Sequence, residues 1–218
     1  MAPRSFSGAK ARKVVHELCP RSAGRVNAIC VVVDRLHIGY LGCYGNSWIA
    51  TPSFDHLAAE SFLFDQATID SPDLTTLYRS YLLGQHAFSP DADTESLPRL
   101  LSKRSVHSRL MTDDPLISHL PLASDFSESI PVAFDGTGEI AAEFDQTQTA
   151  TLFAEAADWL ATPRDPFLLW IHSQGLGTVW DAPFEGATWP EHFERLRVQQ
   201  VLTTHAAAFG TDADLPDE

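Results

Sequence analysis

Short apolar runs alternate with amphipathic stretches along this chain. Residues 26–33 and 167–172 are apolar almost throughout, and residues 106–111 form a further extended stretch between them. Runs of this length, rich in β-branched and aliphatic side chains, predict strands buried in a parallel sheet. Residues 62–64, with the sequence Phe-Leu-Phe, suggest one more short strand.

Helical spacing of apolar residues occurs between these runs. It predicts helices over residues 52–61, 75–83, 97–103, 149–160 and 190–206. Thr51 before Pro52 is typical of a helix start, Thr75 or Thr76 is the predicted N-cap of the second helix, and Gly84 its end. Residues 112–146 are polar, acidic and interrupted by prolines, which predicts an irregular segment. Strands that alternate with helices predict an α/β domain, a mainly parallel sheet with helices on both faces.

Composition and charge divide the chain into three parts. Its 218 residues, 44% of them hydrophobic, are enough for one core. The first part, residues 1–24, is a basic leader that we expect to be loosely ordered; residues 25–206 form the α/β domain and residues 207–218 an acidic tail. The net charge of −14 argues against nucleic-acid binding, because an acidic body repels phosphate.

Several classes of protein are excluded by what the sequence lacks. No apolar run reaches the ~20 residues of a transmembrane helix, and no secretory signal is visible, so we predict a cytoplasmic protein that does not enter a membrane. Three cysteines without a Cys-x-x-Cys spacing support neither a disulfide framework nor a zinc site. Asp34 directly follows the first predicted strand, and ligands of parallel sheets bind at that end.

Several separated motifs resemble the sulfatase family within the alkaline-phosphatase-like superfamily. They are Val31-Val32-Val33-Asp34, then Leu41-Gly42-Cys43-Tyr44-Gly45-Asn46, then Thr51-Pro52-Ser53-Phe54-Asp55-His56-Leu57-Ala58, and finally Pro166-Phe167-Leu168-Leu169 with Trp180-Asp181-Ala182-Pro183. The resemblance covers residues 25–183 and implies an alkaline-phosphatase-like or sulfatase-like core. It implies sulfuric ester hydrolysis by a cysteine of a C-x-P-x-R motif, oxidised to formylglycine, beside a calcium ion. Nothing after Pro183 resembles the second half of the family, so the core is expected to be truncated.

The positions that carry the family's chemistry differ here. Aligned without a gap, Leu74 falls on the nucleophilic cysteine, Thr76 on the proline and Tyr78 on the arginine of the motif. Arg35 replaces the second of two adjacent aspartates, which leaves Asp34 as a vestigial metal ligand, and an Asp34–Arg35 contact is expected instead of calcium binding. The family's lysine and two histidines fall on Asp113, Pro115 and Gly177. We therefore expect no cofactor.

The sequence predicts a sulfatase-like protein that has lost catalysis, and two alternatives stay open. One is a non-catalytic binding or interaction module whose truncated sheet edge is covered by a second copy or another partner. The other is a phosphoryl or sulfuryl transferase that uses the hydroxyl of Thr75 or Thr76. Both threonines are more simply explained as helix caps, and Asp73 as a cap or a solvated loop acid. His172, the remaining catalytic candidate, is more simply explained as a hydrogen-bonded wall residue.

Overall fold

The computed structural model describes residues 26–89, 93–133, 140–162, 166–175 and 181–182. The predicted leader, the helix over 190–206 and the acidic tail lie outside the described residues. No helix within the described ranges is both long enough and apolar enough to span a bilayer.

Four parallel strands form the sheet at the centre of the fold. They are β1 (Ala28–Val33), β2 (His107–Thr112), β3 (Glu128–Pro131) and β4 (Phe167–Ser173), in the spatial order β1-β4-β2-β3. The three strands predicted from apolar runs are present, with ends shifted by a residue or two. The predicted burial of β1 was wrong, because β1 lies at an edge of the sheet and none of its residues is buried. All four carboxyl ends lie at one edge, because every neighbouring pair is parallel.

Five helices connect or cover the strands within the described ranges. They are α1 (Pro52–Ala59), α2 (Leu74–Leu83), α3 (Leu97–Ser102), α4 (Pro115–Ser118) and α5 (Gln148–Leu160). Four of them confirm predicted helices, and α4 was not predicted. Gly84 ends α2 with a φ of 64°, as predicted for a left-handed C-cap.

Two hydrophobic clusters lie on opposite faces of the sheet. One contains Tyr78 and Leu82 of α2 and Ile117 of α4, packed against Leu110 and Trp170 of the strands. The other contains Leu152, Ala156 and Trp159 of α5. These pack against strand residues that point to the opposite face of the sheet: Met111, Leu169 and Ile171. The predicted α/β class, with helices on both faces of a parallel sheet, is therefore confirmed.

Two predictions about local structure were wrong. Residues 62–64 form no strand; Phe62 and Phe64 are 81% and 72% exposed, so the apolar run has no sheet partner. The segment 112–146, predicted to be irregular, contains α4, a 3-10 turn over Pro121–Asp125 and strand β3. Edge strand β3 has only Ile130 and Pro131 as apolar residues, which is too little for an apolar-run criterion to detect.

Residues 36–70 form a segment that we call the arm. It contains α1 and the 3-10 turns Ile38–Tyr40 and Gly42–Tyr44. Thr51 does not cap α1 through its side chain; its Oγ1 accepts a hydrogen bond from the Gly42 N–H at 2.8 Å. None of the residues of α1 is buried. The arm is thus held together mostly by contacts within itself.

Candidate functional site

The carboxyl ends of three neighbouring strands bring polar groups together. Asp34 follows β1, Asp113 and Asp114 follow β2, and Ser173 ends β4. The Asp34 N–H donates to the Ser173 carbonyl at 3.0 Å, and the Gln174 N–H donates to Asp113 Oδ1 at 2.6 Å. These bonds fix the edge where a ligand of a parallel sheet would bind.

Asp34 is in contact with the residue that follows it. Arg35 Nε lies 3.6 Å from Asp34 Oδ2, so the contact expected from the sequence is present. The Asp34 side chain is 26% exposed and the Arg35 side chain 58% exposed. Arg35 has a φ of 57°, in the left-handed region that few non-glycine residues occupy. A tight turn therefore holds a guanidinium beside the carboxylate that resembles a metal ligand.

The loop after β4 packs closely against the same turn. Gly175 has a φ of 60°, and a Cβ at this position would lie 2.5 Å from the Asp34 carbonyl oxygen. Only glycine fits both the backbone angle and the close approach. The backbone of Asp34 is therefore enclosed by the β4 loop.

The first turn of α2 contains the residue aligned with the family's nucleophile. Leu74 is the first residue of the helix, and its half-buried side chain packs against the cluster around Tyr78 and Trp170. Tyr78, aligned with the arginine of the motif, is buried and accepts a hydrogen bond from Trp170 Nε1 at 3.1 Å. Both positions thus contribute packing to the core.

The threonine caps predicted for α2 were wrong, and the alternative prediction of a cap by Asp73 is confirmed. Asp73 is the N-cap, and its carboxylate accepts from the Thr76 N–H at 2.7 Å. The Thr76 hydroxyl and N–H together hold the pKa of Asp73 below its ordinary value. Thr75 is exposed in the first turn. Aspartate accepts at the cap at least as well as threonine, so Thr75 and Thr76 are left inside the helix.

His172 lies inside the protein, beneath the carboxyl edge. It is fully buried, with its Nε2 3.7 Å from Asp114 Oδ2 and its ring 5.5 Å from that of Tyr78. The sequence predicted a hydrogen-bonded wall residue, but neither ring nitrogen has a hydrogen-bond partner among the described residues. The carboxylate of Asp114 is at ion-pair distance, longer than a hydrogen bond.

The pKa values of the two adjacent aspartates after β2 are shifted in opposite directions. Burial raises the pKa of the Asp113 carboxyl, and the hydrogen bond from the Gln174 N–H only partly offsets this. Burial also acts to raise the pKa of Asp114, but interaction with His172 and the Leu116 N–H outweighs it, so that pKa lies below its ordinary value. Asp113 is the acid with the stronger tendency to be protonated.

No group of three or more histidine, cysteine or acidic side chains is arranged to hold a metal ion in the part of the chain that the structure describes. Calcium needs about six to eight oxygen ligands. With Arg35 beside Asp34, the residues at this edge do not fit that requirement.

Comparison with known proteins relates part of the chain to sulfatases. Arylsulfatase D of Homo sapiens is 34% identical over 80 residues, which are 37% of this chain and 14% of that protein. Steryl-sulfatase of Homo sapiens is 38% identical over 65 residues, 30% of this chain and 11% of that protein. Over these stretches the chain is similar to sulfatases. The matched stretch is thus about one seventh of the length of these relatives or less, and no family model matches the chain.

The fold of the chain matches solved structures of alkaline-phosphatase-like fold. The phosphonate monoester hydrolase of Agrobacterium radiobacter gives a TM-score of 0.54 at 17% identity, over 68% of this chain and 40% of that one. The C-terminal periplasmic domain of EcEptC from Escherichia coli, in complex with Zn, gives 0.54 at 14% identity, over 90% of this chain and 53% of that one. These matches show the fold alone.

Asp114 was not among the candidate site residues predicted from the sequence. It is the N-cap of α4, accepting from the Leu116 N–H at 2.8 Å, and it is also the carboxylate nearest to His172. Asp114 followed by Pro115 is a helix start of the same kind as Thr51 before Pro52, so a signal for α4 was present.

Proposed function

We propose that this sulfatase homologue has lost the hydrolysis of sulfuric esters. The observation that carries the proposal is Leu74 at the first position of α2, packed against the core cluster. Covalent ester hydrolysis needs an activated nucleophile, and an aliphatic side chain cannot supply one. The Asp34–Arg35 ion pair supports the same conclusion for calcium, because it places a positive charge where the ion would bind.

The retained fold then has a binding role. Strand β1 is at an edge of the four-stranded sheet, and two of its side chains, Ile29 and Val31, are about half exposed. Its sequence Ala-Ile-Cys-Val-Val-Val contains no charge and no proline, unlike β3 at the opposite edge, which has Glu128 and Pro131. Among the described residues no strand pairs with the outer side of β1, and an edge of this kind favours an interaction module, with a second copy or another partner covering the strand.

A transferase that uses a threonine is the second candidate. Thr75 favours it, because its side chain is exposed in the first turn of a ten-residue helix and does not serve as the cap. Anions are stabilised at such a helix end. Thr76 is less suited as a nucleophile, since its hydroxyl interacts with Asp73.

A turnover assay distinguishes these proposals. We expect the wild-type chain, with an aryl sulfate or an aryl phosphate ester and added divalent cation, to show no hydrolysis above that of the Asp34→Ala variant. Turnover that Asp34→Ala abolishes would contradict the loss of catalysis. Transfer or hydrolysis that Thr75→Ala abolishes, while Thr76→Ser retains it, would favour the transferase. Circular dichroism of each variant verifies folding. The cytoplasmic location stays a prediction.

A further inference from the structure

The arm exposes more large apolar side chains than any other part of the structure described above. All residues from 61 to 69 are exposed. The exposed fractions of the largest side chains are 81% for Phe62, 72% for Phe64, 64% for Leu57, 48% for Trp48 and 43% for Phe54. Clustered exposure of this kind marks an interaction site, whereas single exposed apolar residues need no explanation.

Contacts within the arm hold these side chains on one framework. The Tyr44 hydroxyl donates to the Phe64 carbonyl at 3.1 Å, which links the 3-10 turn Gly42–Tyr44 to the segment after α1. Thr51 links the start of α1 to Gly42. The Trp48 ring packs edge-on against Tyr40, with 5.7 Å between centroids. The apolar surface therefore belongs to one folded unit.

The negative charge of the arm limits the kinds of partner that can bind its apolar surface. Residues 36–78 contain no lysine or arginine, and they contain five acids: Asp55, Glu60, Asp65, Asp70 and Asp73. Glu60 and Asp65 are exposed next to the aromatic side chains. Nucleic acid and an anionic membrane surface would be repelled, and a two-fold dimer would place the same acids opposite one another. The complementary partner is a basic segment with an apolar stripe.

One segment of this chain has that character. Residues 9–18 read Ala-Lys-Ala-Arg-Lys-Val-Val-His-Glu-Leu, with Ala11, Val14, Val15 and Leu18 spaced as on one face of a helix. Lys10, Arg12 and Lys13 lie among them against a single acid, Glu17. We propose that residues 9–18 dock on the apolar and acidic surface of the arm. The docking is independent of whether the chain catalyses a reaction.

The chain between residues 9–18 and strand β1 is long enough for residues 9–18 to reach the arm. Seven residues separate Leu18 from Val26, and the eight steps between consecutive Cα atoms, at about 3.3 Å each, reach roughly 26 Å. Strand β1, six residues long, spans about 20 Å from its amino end to its carboxyl end. The arm begins three residues after β1. Residues 9–18 can therefore run alongside the sheet to the arm.

Amide hydrogen exchange of the whole chain tests the docking. The test variant is Lys10→Glu/Arg12→Glu/Lys13→Glu, and the matched control is Arg4→Glu/Arg21→Glu/Arg25→Glu, which changes the net charge equally in the same leader. We expect exchange in α1 and residues 60–66 to be about tenfold faster in the test variant and unchanged in the control. Raising NaCl from about 0.05 M to about 1 M should accelerate the same amides in the wild-type chain.

Three results would overturn the proposal. They are equal exchange of the arm in the wild type and the test variant, an equal effect of the control variant, and protection that rises with protein concentration, which would assign the surface to a second copy. Amides of β2 and β4 report folding and should stay unchanged. If the test variant does not fold, the salt series on the wild-type chain decides, and exchange insensitive to salt contradicts the docking.

Discussion

Replacing Leu169 by alanine is expected to lower the free energy of unfolding by about 3 kcal/mol. Leu169 is completely buried in the central strand β4, where it packs among Met111, Leu152 and Ile171 beneath α5. Truncation removes the transfer free energy of the side chain and leaves a cavity that a strand paired on both sides can close only in part. Urea denaturation followed by circular dichroism measures the loss.

Ile29→Ala is the matched control for this substitution. Ile29 lies opposite Leu169 in the register between β1 and β4, on the same face of the sheet, but it is 53% exposed. Its truncation should cost less than about 1 kcal/mol, because little apolar area is lost from the interior. Equal losses for the two variants would show that β1 is covered on this face in solution, as it would be if a second copy of the chain bound there.

Asp114→Asn is expected to destabilise the protein by about 1 kcal/mol at pH 7. Asparagine caps a helix as well as aspartate does, so α4 keeps its N-cap and only the charge of the carboxylate beside His172 is lost. The folded-state pKa of Asp114 lies below its unfolded value, so its contribution is present above the ordinary pKa of about 3.9 and is lost as the pH falls through the folded pKa.

Asp113→Asn is expected to raise the free energy of unfolding at neutral pH, whereas Asp114→Asn lowers it. The folded-state pKa of Asp113 is raised, so this carboxyl favours folding fully below about pH 3.9 and loses that contribution as the pH rises through its folded pKa. The amide oxygen can still accept from the Gln174 N–H, while the buried charge is removed. Urea titrations of both variants at pH 3 and pH 7 measure the difference, and destabilisation by Asp113→Asn at pH 7 would contradict this assignment.

Strands with a continuous apolar run were predicted from the sequence. Strand β3, which is defined only by its hydrogen-bond pairing with a neighbouring strand, was not predicted. Strands β1 and β4 are apolar runs, so their side chains carry the signal, although no residue of the edge strand β1 is buried. Strand β3 has only four residues at an edge and is defined by its register with β2, which no local pattern records. Residues 62–64 have the composition of a strand but lie on the exposed arm.

The location of the site at the carboxyl ends of the strands was predictable from the sequence. The residues that its side chains contact were not predictable. Asp34 was placed at the carboxyl edge because strand ends meet there, and its contact with Arg35 follows from adjacency. The cap by Asp73 was weighed against neighbouring threonines, and such competition is settled by backbone geometry. The burial of His172, which has no hydrogen-bond partner among the described residues, depends on contacts with Tyr78 of α2 and with Asp114 at the start of α4, which are distant in sequence.

We propose that Arg35 and Leu74 have replaced the groups on which ion binding and ester hydrolysis would depend. Thermal unfolding with added calcium chloride, against sodium chloride at equal ionic strength, tests it most directly. A ligand at a hundred times its Kd stabilises a folded protein by about 2.7 kcal/mol, which is easily detected as a rise in Tm. We predict the same Tm in both salts. A Tm raised by calcium in the wild-type chain, but not in Asp34→Ala, would contradict the account.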